Sequence, residues 1–107
     1  MAAGGAEVSL VIEMSPFAES PAKALASADA VFEAGLIDEV HIVRQGNHLA
    51  PALLAKHKFP VIYHTDGVLD LRKLKHMAMV RTPGDLEFSR AAFERILEDM
   101  RAGAGRY

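Results

Sequence analysis

The chain has 107 residues, a length that suits one domain with a single modest core. Its residues are 50% hydrophobic and 24% charged, which is typical of a soluble globular domain. A formal net charge of −2 gives no general attraction to nucleic acid or to membranes, and the absence of cysteine excludes disulfides and thiolate metal sites. No apolar stretch approaches the ~20 residues of a membrane helix, and the N-terminal MAAGGAEV lacks the basic region of a secretory signal. We therefore expect a cytoplasmic protein.

The first half of the chain predicts alternating strands and helices. The predicted elements are a strand over residues 7–14, a helix from Pro21 to Gly35, a strand within residues 38–44, and a helix that begins between residues 47 and 50 and ends at residues 56–58. Ser20 can cap the first helix, and Pro21 suits the first helical position because it has no N–H to lose. Gly35 is the predicted end of that helix, since glycine adopts the left-handed conformation without penalty.

The second half begins with the apolar run Val61-Ile62-Tyr63, which predicts a strand covered on both faces. The other predicted elements are a short helix capped by Asp70, a short strand over residues 77–80, and a last helix that ends at Gly103. Thr82 and Asp85 have the spacing of a capping box for that last helix, with Pro83 at its first helical position. Residues 1–6 and 104–107 are predicted to be flexible tails.

This order, β-α-β-α-β-α-β-α, predicts a Rossmann-like α/β fold. We expect a single three-layer domain over residues 1–107, with about four mostly parallel strands, right-handed crossovers and helices on both faces of the sheet. The alternative is an α+β sandwich in which one short strand is antiparallel. Ligands of open parallel sheets bind beyond the carboxyl ends of the strands, so the candidate site is expected there.

The densest polar group in the sequence directly follows the third predicted strand, as His64, Thr65 and Asp66. The spacing of His64 and Asp66 places both side chains on one side of an extended segment. They would form a general base with its orienting carboxylate, or part of a metal site. The alternative is a turn after a strand, in which Asp and Gly are favoured for backbone reasons. The remaining histidines show no metal-ligand spacing, and we expect them to be surface residues or hydrogen-bonded structural residues.

A basic segment follows shortly afterwards, with Arg72, Lys73, Lys75 and Arg81 in ten positions and no acidic residue among them. It predicts either an anion site, for example for phosphate, or a solvated face. Aromatic residues do not alternate with these charges, so the pattern does not indicate nucleic-acid binding.

Three stretches resemble the cytidylyltransferases that activate acidic sugars and related sugar nucleotidyltransferases. MSPFAESPAKAL (residues 14–25) is similar to their signature loop, AGLIDEVHIV (residues 34–43) to a helix-to-strand passage, and VRTPGDLEFSRAAFERI (residues 80–96) to their closing segment. The chain differs where the family has its triphosphate-binding Arg and Gly-Ser pair, and Arg81 stands in place of a family Asp. The family enzymes are also about twice as long, so the chain resembles a shortened relative without the central sugar-binding region.

The resemblance implies a ligand-binding domain for a nucleoside phosphate with Mg²⁺, without assured catalysis. In this hypothesis Lys23 and Arg81 contact phosphate, His64 and Asp66 line the site, and Asp66 or Asp70 binds the metal, because carboxylate oxygens suit a hard cation. The second hypothesis is a non-catalytic interaction or regulatory module that forms a homo-oligomer. It is favoured by the absence of any complete catalytic motif.

Overall fold

A computed structural model of the chain describes residues 6–14, 21–44, 57–64 and 66–103. Its elements are β1 (Ser9–Glu13), α1 (Ala22–Glu33), β2 (Val40–Val43), β3 (Val61–His64), a 3₁₀ turn (Leu71–Lys73), β4 (Met79–Pro83) and α2 (Arg90–Ala102). The helix predicted between residues 47 and 58 lies mostly outside the described residues, and residues 57 and 58 are not helical. None of the described helices is long and apolar enough to cross a membrane.

The four described strands form one sheet in the order β3-β2-β1-β4, and every neighbouring pair is parallel. The parallel α/β sheet is therefore confirmed, and among these strands the antiparallel alternative is wrong. Because β1, β2 and β3 follow one another across the sheet while β4 lies on the other side of β1, the direction of strand addition reverses between β1 and β4. The carboxyl ends of all four strands lie at one edge of the sheet, where His64 is the last residue of β3 and Asp66 lies just beyond it.

One face of the sheet packs against both described helices. Strand residues alternate between faces, and Leu10, Ile12, Val40 and Ile42 belong to a single buried cluster with the inner residues of the helices. The helix residues in this cluster are Ala24, Leu25, Ala28 and Val31 of α1, and Phe93 and Leu97 of α2. Burying these side chains stabilises the fold by roughly 1.5–3 kcal/mol for each large one. We call this the helix face.

The opposite face, named the crossover face, is covered by the connection between β3 and β4. This connection contains the 3₁₀ turn and is named the crossover segment (residues 66–78). Ser9, Val11 and His41 point to this face and are all fully buried. The hydroxyl of Ser9 donates to the carbonyl of His76 over 3.0 Å and accepts from the His76 N–H over 3.2 Å, which ties this segment to the start of β1. Among the described residues, this face thus carries a 3₁₀ turn where the sequence predicts a short helix capped by Asp70.

Several predicted element ends are confirmed. Gly35 has φ 76° and follows Ala34, the C-cap residue of α1, as expected of a left-handed glycine at a helix end. The side chain of Asp70 accepts from the Arg72 N–H and caps the 3₁₀ turn, and Gly103 follows the last residue of α2. Pro21 precedes α1 as its N-cap residue rather than occupying the first helical position.

The predicted capping box at Thr82 and Asp85 is wrong. Thr82 and Pro83 are the last two residues of β4, which begins two residues later than predicted and ends three residues later. Thr82 is buried on the helix face, and Pro83 is tolerated because β4 is an edge strand. The helix α2 begins only at Arg90, where the Ser89 hydroxyl accepts from the Ala92 N–H over 3.1 Å.

Candidate functional site

His64 ends β3 and lies inside the protein. Its side chain is buried on the crossover face, opposite Val43 in the register of β2. Its Nε2 lies 2.9 Å from Nδ1 of His41, and its Nδ1 accepts the backbone N–H of Asp70 over 3.1 Å. Both ring nitrogens of His64 therefore have protein partners.

The second ring of this pair continues the hydrogen-bond chain to a carboxylate. His41 is fully buried in the middle of β2, and its Nε2 lies 2.5 Å from Oε2 of Glu39. The same Glu39 oxygen also accepts the backbone N–H of Lys75 over 3.1 Å. The chain from Asp70 through the two histidines to Glu39, named the histidine relay, thus ties the crossover segment to His64 of β3 and to Glu39 just before β2.

Hydrogen-bond roles fix one arrangement of protons along the histidine relay. Because Nδ1 of His64 accepts from Asp70, a neutral His64 carries its proton on Nε2 and donates it to Nδ1 of His41. His41 then carries its own proton on Nε2 and donates to the Glu39 carboxylate. Adding a proton to His64 would require a donor at Nδ1 as well, which conflicts with the Asp70 N–H.

The electrostatic surroundings agree with this assignment. Burial lowers the pKa of His64 below its usual value, and His41 and Lys73 lower it further, against a smaller opposing effect of Asp70. His64 is therefore neutral in the folded protein near pH 7. The arrangement holds a proton in a fixed position, but it offers no free ring nitrogen to a ligand.

The start of the sheet carries a second set of contacts to the crossover segment. The Asp38 carboxylate accepts from Nζ of Lys75 over 2.8 Å and from Nε2 of His76 over 3.2 Å. Burial opposes ionisation of Asp38, but the hydrogen bonds from Lys75 and His76 outweigh it, so the pKa of Asp38 is lowered. The same contact raises the pKa of Lys75. Of the other histidines, His41, His57 and His76 are hydrogen-bonded to carboxylates as predicted, and His48 lies outside the described residues.

The two carboxylates predicted to bind a metal differ in their surroundings. Asp66 is exposed just beyond β3. Asp70 is engaged by Arg72, whose backbone N–H and Nε both donate to Oδ1 and whose Nη2 donates to Oδ2. These bonds lower the pKa of Asp70. Within the described ranges, no three His, Asp or Glu residues are grouped as a metal site.

The two cations predicted to contact phosphate lie near β4. Lys23 is exposed in the first turn of α1, next to Ala24, whose N–H donates to the carbonyl of Gly84 over 3.2 Å. Arg81 lies on the crossover face of β4, with Nη1 3.6 Å from Oε2 of Glu13. Since two strands separate β3 from β4, the two edges of the sheet are roughly 14 Å apart. The structure thus joins His64 and Asp70 by a hydrogen bond, leaves Asp66 exposed just beyond β3, and places Lys23 and Arg81 apart from them.

Sequence reasoning missed Arg44, which directly follows β2. Arg44 is only 8% exposed. Its backbone N–H donates to the carbonyl of His64, which extends the pairing of β2 and β3 by one residue. Its Nε and Nη1 are buried and have no hydrogen-bond partner among the described residues, and the same is true of the Tyr63 hydroxyl. The sequence pattern that could have identified Arg44 is an arginine placed immediately after an apolar strand.

No protein-family model matches this chain, and no curated protein or solved structure matches it either. The similarity to acidic-sugar cytidylyltransferases therefore rests only on the three stretches quoted above.

Proposed function

We propose that this domain binds a phosphate-bearing small molecule at the carboxyl edge of its sheet. The observation that carries the proposal is the all-parallel sheet with its reversal between β1 and β4. In open α/β sheets of this kind, ligands bind in the crevice beyond the carboxyl ends, next to the point of reversal. The ligand that agrees best with the sequence pattern is a nucleoside phosphate with Mg²⁺.

The candidate residues take separate parts in this proposal. Lys23 and Arg81 flank the reversal and supply positive charge to phosphate groups. Asp66 is exposed and would be the protein ligand of Mg²⁺, since Mg²⁺ commonly binds one or two carboxylates together with phosphate oxygens and water. His64 acts indirectly, because its hydrogen bonds hold the segment that carries Asp66. Asp70 is a weaker metal candidate, because binding would require it to leave Arg72.

A thermal-shift screen against nucleoside mono-, di- and triphosphates, with and without Mg²⁺, examines this function directly. A ligand present at 100 times its dissociation constant adds about 2.7 kcal/mol to the free energy of unfolding. For a domain of this size, that corresponds to a rise in Tm of roughly 10 °C or more. Asp66→Asn should abolish the Mg²⁺-dependent part of the rise, whereas Asp85→Asn, an exposed carboxylate after β4, serves as the matched control. A flat screen would refute the proposal.

A second candidate function, a homo-oligomeric interaction module, is favoured by an apolar groove at the opposite end of the sheet. The groove has a volume of about 510 Å³ and is lined by Val8, Ala78, Ile96, Leu97 and Met100. Ile96 is 42% exposed although it is a large aliphatic side chain. Glu7, Asp99 and Arg101 surround the apolar floor, as a polar rim surrounds the centre of many interfaces.

Sedimentation equilibrium at micromolar concentration tests this second function. An interaction module should give a measured mass greater than that of one chain, and Ile96→Glu should reduce this mass to that of the monomer. Glu94→Gln, on the same helix but outside the groove, should leave the mass unchanged. A monomeric wild-type protein would exclude the module.

A further inference from the structure

Arg44 is a buried cation at the carboxyl end of β2. Residues alternate between the faces of a strand, so Arg44, two residues after Ile42, continues the helix face. Two of its guanidinium nitrogens, Nε and Nη1, are buried without a hydrogen-bond partner among the described residues. Burying a charged group without a partner is costly, and such a group is normally paired or binds an ion.

The chain itself offers few counter-ions for this guanidinium. None of the ion pairs formed between described residues includes Arg44. Of the 14 acidic residues in the chain, only Glu19 lies outside the described residues. Residues 45–56, which follow Arg44 directly, contain no Asp or Glu at all. Any Asp or Glu side chain that pairs with Arg44, other than Glu19, must therefore come from another molecule.

Tyr63 adds a second unpaired donor on the same face. Its ring packs against the helix-face cluster, and its hydroxyl is buried without a partner among the described residues. The register pairs Tyr63 with Ile42, so Tyr63 and Arg44 lie on adjacent strands within two positions of each other. A guanidinium and a phenol hydroxyl together provide several N–H and O–H donors, which suits an anion with several acceptor oxygens.

From these buried, unpaired donors we infer that Arg44 and Tyr63 form an oxyanion subsite that binds a phosphate group. This subsite lies on the helix face at β2 and β3, whereas Lys23 and Arg81 lie near β4. The inference deepens the proposed function by adding Arg44 as a contact for one phosphate group, besides those proposed for Lys23 and Arg81. It rests on the unpaired donors and not on the identity of the attached molecule. Inorganic phosphate is therefore a sufficient probe.

The experiment compares the thermal unfolding of wild type, Arg44→Met, Arg44→Lys and Tyr63→Phe in a phosphate-free buffer and across a titration with inorganic phosphate. Sodium chloride of equal ionic strength controls for general screening. Wild type should gain Tm with phosphate, by roughly 10 °C at 100 times the dissociation constant. Arg44→Met should remove this gain, Arg44→Lys should weaken phosphate binding by about tenfold or more, and Tyr63→Phe by up to about tenfold.

The Tm values in phosphate-free buffer distinguish an anion subsite at Arg44 from an ion pair between Arg44 and another residue of the chain. If the partner of Arg44 is an external anion, then Arg44→Met removes a charge that has no partner in phosphate-free buffer, and it should leave Tm unchanged or raise it. A lower Tm for Arg44→Met and for Glu19→Gln, with no response of wild type to phosphate, would show that Glu19 is the partner and overturn the inference. Phosphate binding without any nucleotide response would uphold the subsite and reject the nucleoside part of the proposed function.

Discussion

The histidine relay makes a quantitative prediction about the coupling of its two rings. Replacing His41 with Leu preserves approximate volume but leaves the Nε2–H of His64 without an acceptor. It also removes the donor 2.5 Å from the Glu39 carboxylate, which keeps only the Lys75 N–H. Orphaning a buried group costs about 1–3 kcal/mol, and losing a hydrogen bond to a charged group costs about 1.5–3 kcal/mol. We therefore expect His41→Leu to lower the free energy of unfolding by about 3–5 kcal/mol.

The double mutant separates the contact between the rings from these other losses. His64→Leu alone orphans Nδ1 of His41 and the Asp70 N–H. In the double variant neither ring remains to be orphaned, so its destabilisation should be about 1–2 kcal/mol smaller than the sum of the single changes.

Urea denaturation at pH 7.5 measures all four proteins of this cycle, with the slope m checked for constancy. Combining His41→Leu with Ser89→Ala, at the distant start of α2, gives the control pair, which should be additive within about 0.5 kcal/mol. Additivity of the two histidine changes within the same error would refute the relay as a coupled unit.

Three further predictions concern acidity, a helix cap and a close contact. Since the pKa of His64 is lowered in the folded state, the unfolded chain binds more protons than the folded chain below about pH 6.5. The free energy of unfolding should therefore fall as pH decreases from about 7 to 5. His64→Leu should flatten this dependence on pH in denaturant titrations, and an unchanged dependence would contradict a buried neutral His64. Ser89→Ala should cost about 1 kcal/mol of stability by removing the cap of α2, whereas Ser89→Asp should retain it in the same assay. A methyl group on Gly84 would clash with Sδ of Met14 and lie 3.2 Å from Cα of Pro21. Gly84→Ala should therefore lower the free energy of unfolding by an overpacking cost of about 1–3 kcal/mol, and Tm should fall with it. Met14→Ala should relieve part of that clash in the double variant, and a Gly84→Ala protein with wild-type Tm would disprove the close packing.

Features that depend on neighbouring residues were predictable from the sequence, and features that depend on strand register were not. The left-handed Gly35 and the Asp70 cap follow from the backbone preferences of single residues. Thr82 and Pro83 carry a sound helix-start signal, but pairing with β1 holds them in a strand instead. Tertiary contacts here override a local preference.

The candidate site shows the same division. The sequence indicated His64 and Asp66 because they end an apolar run, and the structure places both at the carboxyl edge. The partnership of His64 with His41 depends on a register between strands that are 23 positions apart at these residues, which no local pattern encodes. The unpaired guanidinium of Arg44 is likewise visible only once burial is known.

The edge strand β4 also determines how copies of this protein can meet. The N–H of Ser9 donates to the carbonyl of Ala78, so in the parallel ladder Val80 and Thr82 turn their backbone groups toward β1. Met79, Arg81 and Pro83 turn theirs outward, where Pro83 has no N–H to offer and Arg81 adds a charge. Proline and charge on an exposed edge discourage the growth of one sheet into another, the usual first step of β-aggregation. Fibrous growth along β4 is therefore disfavoured, and the proposed interaction module would associate through the groove beside α2 instead.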